Sequence, residues 1–257
     1  MQTLNDLMLA VLIDADNIPS GNVKGMLEEI AKYGTPTFKR IYGDWTKPTI
    51  SGWKSVLLEN AITPVQQYSY TRGKNATDSA MIIDAMDILY SGKVDGFCLV
   101  SSDSDFTRLA TRLREAGMKV IGIGERKTPS SFIVACDKFI YLEILSTSSS
   151  GSESFAEKKK RGKPSSSKKK NEENESLAQT KKARQLIASS INDLADENGW
   201  AYLGDVGNLI LKKQPDFDPR NFGFTKLTPL IKSLDFVIDE RDSGQSGIKY
   251  IYIRNRK

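Results

Sequence analysis

Through the first 145 residues, short apolar runs alternate with longer stretches of helical periodicity. Leu9-Ala10-Val11-Leu12-Ile13 has strand length and composition and ends abruptly in Asp14-Ala15-Asp16-Asn17. Pro19-Ser20-Gly21 breaks the backbone, and Met26, Leu27 and Ile30 form the stripe of a helix over residues 23–33 that Gly34 stops. The same reading gives strands at 37–42, 62–67, 97–101, 119–124 and 139–142. It gives helices at 53–59, 78–90 and 106–116, and a further segment at 130–136. Strands alternating with helices imply a mainly parallel sheet covered on both faces, and the nearly all-apolar strands fit burial on both sides.

The pattern then changes. Residues 146–182 are rich in Ser, Lys and Glu, including Lys158-Lys159-Lys160-Arg161 and Lys168-Lys169-Lys170. So little apolar surface predicts a flexible linker, either a solvated tether or a basic arm on phosphates. Beyond it, helices at 183–198, 203–211 and 222–234 and a hairpin of 236–240 with 248–253 suggest a winged-helix-like α+β module over residues 183–257. The hairpin turns at Ser243-Gly244-Gln245.

Charge alters this picture less than its total suggests. Of the net +5, residues 1–150 carry 16 basic and 17 acidic side chains, residues 151–182 carry 10 and 5, and residues 183–257 carry 11 and 10. The excess therefore sits in the linker. No apolar run has bilayer length, residues 1–8 do not read as a secretory signal, and Cys98 and Cys136 are too widely spaced for a staple or a zinc site. These features predict a cytoplasmic protein with no membrane association. The sequence contains no histidine, which removes imidazole bases, Ser-His-Asp designs and most zinc sites.

Chemistry is left to carboxylates, lysines and metal ions. Asp14 and Asp16 lie two apart at a strand end, Asp103 and Asp105 repeat that spacing after 97–101, and Asp78 opens a helix. Ligands of open α/β sheets bind at the carboxyl ends of the strands. Acids gathered there repel one another unless a cation compensates, and oxygen-only donors suit Mg²⁺ or Mn²⁺. The alternative is that each acid merely caps its own helix. Asp84 and Asp87, in mid-helix, read as solvated or supporting residues.

Three motifs resemble those of NYN domains, in the PIN-like ribonuclease superfamily. They are Leu12-Ile13-Asp14-Ala15-Asp16-Asn17, Lys74-Asn75-Ala76-Thr77-Asp78 and Ser102-Asp103-Ser104-Asp105-Phe106, in the order the family has them. The resemblance covers residues 8–145 and implies a three-layer sandwich and a metal-dependent nuclease domain over residues 1–145. Carried over by position, Asp14, Asp78, Asp103 and Asp105 are the metal-site acids, and Asn17 positions a ligand or the metal water. Asp16 stands beside that set. Cleavage would leave a 5′-phosphate and a 3′-hydroxyl.

Pro215-Asp216-Phe217-Asp218-Pro219-Arg220-Asn221-Phe222-Gly223-Phe224, followed by Lys226-Leu227 and Leu230-Ile231, resembles the OST-HTH or LOTUS domain. That likeness implies association with RNA, and in some members with a protein partner. Phe217, Phe222 and Phe224 read as core residues.

Together these features predict metal-dependent hydrolysis of RNA phosphodiesters. Arg72 and Lys74 would hold substrate phosphates, and Tyr68 and Tyr70 would either stack on bases or pack. The alternative is an RNA-binding adaptor without turnover. A phosphatase using Asp14 as nucleophile fits poorly, because Ile18 stands where such enzymes carry a Thr. PIN-like domains often pair, so the resemblance also allows a homodimer.

Overall fold

The computed structural model describes residues 6–68, 76–146, 166–242 and 249–256. The chain divides into two compact units, residues 1–151 and 152–257.

In the first unit, six strands form one sheet in the order β3-β2-β1-β4-β5-β6, with every pairing parallel. The strands are β1 (Met8–Asp14), β2 (Thr35–Gly43), β3 (Thr63–Gln66), β4 (Gly96–Val100), β5 (Lys119–Gly124) and β6 (Lys138–Tyr141). The helices are α1 (Val23–Ile30), α2 (Lys54–Leu57), α3 (Ala76–Ser91), α4 (Thr107–Glu115), α5 (Ser130–Ala135) and α6 (Leu142–Ser146). This is the α/β sandwich with a parallel sheet that the alternating pattern predicts. The helix expected over 53–59 is mostly a 3₁₀ turn, Pro48–Trp53, leaving only four α-helical residues in α2.

Strand alternation sorts β1 between two cores. Leu9, Val11 and Ile13 pack on the side of Met26 and Ile30 of α1. Ala10 and Leu12 pack on the side of Met81, Ala85 and Ile88 of α3. Asp14 follows Leu12 by two residues and so turns toward the α3 side. The sheet order reverses its direction of growth at β1, between β2 and β4, which places the crevice for a ligand outside the carboxyl ends of β1 and β4.

Of the two readings left open for Asp84, solvated or supporting, the structure has the second: it is tied down within this layer. It pairs with Arg40 and accepts the hydroxyl of the fully buried Tyr42, both on β2, and so locks α3 to the sheet. Asp87 is exposed. Both cysteines are buried free thiols, and burial pushes each well above the ordinary thiol range.

Gly124, at the end of β5, secures the approach of β5 to β4. A Cβ there would lie 2.6 Å from the Ser101 carbonyl and 2.7 Å from Thr128 Oγ1. Gly124→Ala is expected to cost about 1–3 kcal/mol by overpacking, measured as a lowered urea midpoint at unchanged m-value. An unchanged midpoint would show that the strands part freely there.

The second unit runs α7 (Ser166–Leu194), β7 (Ala201–Tyr202), α8 (Leu203–Lys213), α9 (Leu227–Ser233), β8 (Val237–Asp242) and β9 (Lys249–Arg254). Its sheet, ordered β7-β9-β8, is antiparallel. Ala183, Ile187, Val206, Ile210, Leu230 and Ile253 share one core with Phe217, and Phe222 and Phe224 pack against it, in the structural role expected of these phenylalanines.

Three details differ from expectation. The α7 backbone is helical from Ser166, inside the stretch 146–182 predicted as a flexible linker. Its straight-chain Lys, Glu and Gln residues have good helix propensity without an apolar stripe. The helix predicted over 222–234 is interrupted, because Gly223 (φ +81°) ends a 3₁₀ turn at Pro219–Phe222 and α9 begins at Leu227. The two-residue strand β7 is too short to show as a pattern. The turn expected at Ser243-Gly244-Gln245 lies outside the described residues.

Candidate metal centre

Asp14 closes β1 with no exposed surface. Its Oδ2 accepts from Asn17 Nδ2 at 2.7 Å and from Ser101 Oγ at 2.9 Å. Its Oδ1 accepts the backbone N–H groups of Asp16 at 3.1 Å and Asn17 at 3.3 Å. These contacts curl the chain sharply after the strand, so Asp16 does not continue the β alternation. Burial pushes the Asp14 carboxyl above its ordinary range, and the hydrogen bonds from Asn17 and Ser101 partly oppose that.

Asp78 lies in the first turn of α3, only 8% exposed. Burial is the largest cause raising its pKa. The negative charges of Asp14, Asp103, Asp105 and Asp16 follow, and together they push it up to about 6. A carboxylate at a helix N-terminus would ordinarily be stabilised by the dipole. Burial, with crowding by like charges added to it, overrides that here.

Asp103 and Asp105 come from the turn after β4. Asp103 accepts the Asp105 N–H at 3.0 Å, capping the 3₁₀ turn Ser104–Phe106, and its own N–H donates to Ser101 Oγ at 3.1 Å. One carboxylate oxygen from each of Asp78, Asp103 and Asp105 lies within 4.8 Å of the others. Capping and convergence are therefore not alternatives, because Asp103 does both.

Of the predicted acids, three meet in this group. Asp14 is not one of the three, but its charge acts on Asp78. Asp16 belongs to the neighbourhood too: it accepts from Thr77 Oγ1 at 3.2 Å, and Lys47 Nζ approaches it at 4.0 Å. Asn17 spends its side-chain amide on Asp14, which makes it a support for that carboxylate. Arg72, Lys74 and Tyr70 lie outside the described residues, and Tyr68 is exposed.

Ser101, Thr77 and Lys47 were missed by sequence reasoning. Ser101 had one signal, a hydroxyl ending an otherwise apolar strand directly before Ser102-Asp103. Thr77 had the signal of its place in the motif that ends in Asp78, and Lys47 had none, since its contact depends on the loop after β2.

An open parallel sheet with acids gathered beyond its central strands defines a carboxylate-edged α/β domain of the PIN-like kind. The NYN domain family model matches residues 8–143 and the OST-HTH/LOTUS domain model matches residues 175–248. The chain belongs to the NYN domain family, within a superfamily of ribonucleases, and carries a second module of a type associated with RNA binding. Comparison with curated proteins finds no match. Among solved structures, a protein of unknown function from Vibrio parahaemolyticus is 22% identical, covering 55% of this chain and 96% of its own, with a TM-score of 0.47. An uncharacterized protein from Nitrosomonas europaea is 28% identical over 42% of this chain and 89% of its own, with a TM-score of 0.28. Among the described residues, no helix is long and apolar enough to cross a membrane.

Proposed function

We propose that this protein hydrolyses phosphodiester bonds in RNA with the help of Mg²⁺ or Mn²⁺ held by Asp78, Asp103 and Asp105, with Asp14 adjoining them. The observation that carries this reading is the convergence of three carboxylate oxygens within 4.8 Å beside a buried fourth acid. The donor set fits such an ion: it is all oxygen, and the burial and like-charge repulsion that together raise Asp78 are what a divalent charge would offset.

A bound divalent ion supplies Lewis acidity, lowering the pKa of a water and offsetting charge at the phosphate. The residues of the chain prepare the place. Asn17 and Ser101 hold Asp14 in one orientation, and Ser101 simultaneously fixes the backbone of Asp103, so one hydroxyl sets the separation of two strand ends. Asn17 and Ser101 are positioning residues. Asp14 is a poor nucleophile in this setting, being buried with both oxygens hydrogen-bonded. Arg72 and Lys74 precede α3 in the sequence and would neutralise the phosphates on either side of the scissile bond. The second unit recruits the RNA.

Incubating the full chain with end-labelled single-stranded RNA tests the reading. Cleavage in Mn²⁺ and its loss in EDTA, with RNA still bound, is the expected result. Equal cleavage by wild type and Asp14→Asn would mark a contaminant and overturn it, and binding without any cleavage would leave an adaptor.

A further inference from the structure

We propose that the outward face of the β7-β9-β8 sheet is a stacking platform for single-stranded RNA. The proposal rests on the RNA reading above and names the surface and contact chemistry that the second unit would use.

The antiparallel register places alternate side chains together on that face. Tyr202 lies opposite Tyr252, which lies opposite Asp239, and Tyr250 lies opposite Arg241. Ile251 and Ile253, which alternate with these tyrosines on β9, belong to the other face: Ile253 lies in the core with no exposed surface and Ile251 packs against it. Trp200, two residues before Tyr202, extends the same face. The rings form one array: Tyr202 is 5.7 Å from Tyr250 and 5.9 Å from Tyr252 between centroids. The Arg241 guanidinium lies 4.2 Å from the Tyr252 ring centroid and 5.4 Å from that of Trp200, and Arg254 lies 4.7 Å from the latter.

Large aromatic side chains ordinarily fill a core. None of these four belongs to the core of its own unit, and Tyr202 and Tyr250 remain 39% and 43% exposed. Charge indicates the occupant. Asp239 is the acid on the face, and it is held by Arg241 Nε at 2.8 Å. Among the described residues the face therefore offers ring surfaces beside two guanidinium groups, one of them paired with the acid, which leaves one net positive charge. Unpaired bases stack on such rings while the guanidinium groups meet the phosphates, and a duplex cannot offer its base faces to them. This mode differs from the insertion of α9 into a groove that a winged-helix outline would suggest.

The test uses the full chain in EDTA, where hydrolysis is off, so that its outcome is independent of the nuclease reading. Fluorescence anisotropy with a labelled unstructured oligoribonucleotide should show at least a tenfold affinity loss for the pair Tyr202→Ala and Tyr250→Ala. Tyr250→Phe, which keeps the ring, should bind within twofold of wild type. Arg254→Gln should lower the salt slope by about one. Photocrosslinks from a 4-thiouridine oligonucleotide should map to peptides containing Tyr202 or Tyr250, which locates the contact even if the alanine pair unfolds. Crosslinks confined to other peptides, or unchanged affinity in a folded alanine pair, would overturn the proposal and leave the face to a protein partner. Binding of duplex RNA as tight as single-stranded RNA would also overturn it. Cleavage in Mn²⁺ is scored separately, so failure of either reading is visible without the other.

Discussion

Asp103→Asn is expected to lower Mn²⁺-dependent RNA cleavage on the order of 1000-fold, with circular dichroism and RNA binding in EDTA unchanged. The amide keeps the shape of the carboxylate and can still accept the Asp105 N–H that caps the turn, bonded at 3.0 Å in the wild type. Only the charge is removed. The expected loss follows from the several kcal/mol that a correctly held ion contributes, at about 1.4 kcal/mol per factor of ten. Single-turnover assays of the variant beside Asp105→Asn check it. Retained cleavage in both variants would show that the acidic group does not hold the ion.

The second large effect is on stability. In EDTA, the protein is expected to lose stability as pH rises from about 4 to about 7. Asp78 titrates near 6 in the folded chain against an ordinary value of 3.8, so the folded state keeps a proton that the unfolded chain releases. Stability falls with pH wherever the native state binds more protons, and this shift corresponds to roughly 2–3 kcal/mol once both states are ionised. Asp14 is raised as well and contributes with the same sign. Asp78→Asn should therefore raise Tm at pH 7.5 while leaving a residual slope from Asp14. Saturating Mn²⁺ should stabilise wild type most at high pH, because the ion displaces the retained proton. A melting temperature in EDTA that rises between pH 4 and 7 would contradict the burial and crowding of Asp78.

The two expectations share one cause: acids brought together and partly buried beyond the strand ends, where burial and mutual repulsion both disfavour their charged forms. How much of that was visible in the sequence depends on distance along the chain. Asp14 was legible because an apolar strand ending in carboxylates has few other readings. The capping role of Asp103 was legible for the same local reason. The meeting of Asp78 with Asp103 and Asp105 was accessible through the resemblance of three motifs, whereas spacing alone left helix capping open. What decides it is the placing of β4 beside β1, a non-consecutive pairing that no local pattern encodes. For the same reason the sequence left Asp84 open between a solvated and a supporting role, since its partners Arg40 and Tyr42 lie more than forty residues earlier.

In the second unit, the core phenylalanines were legible from apolar pattern and motif together. The outward aromatic face was not. Tyr250 and Tyr252 alternate with isoleucines in the ordinary manner of a half-buried strand, and only the pairing of β9 with β7 and β8 gathers Tyr202 and Arg241 beside them.

Titrating the full chain with Mn²⁺ at pH 7.5, while following the free-ion electron paramagnetic resonance signal, probes the acidic group without relying on turnover. Saturable capture by wild type, weakened at least about 100-fold by Asp103→Asn and by Asp78→Asn, is the predicted result. Capture that is absent in wild type, or equally strong in the variants, would contradict a divalent ion held by these aspartates.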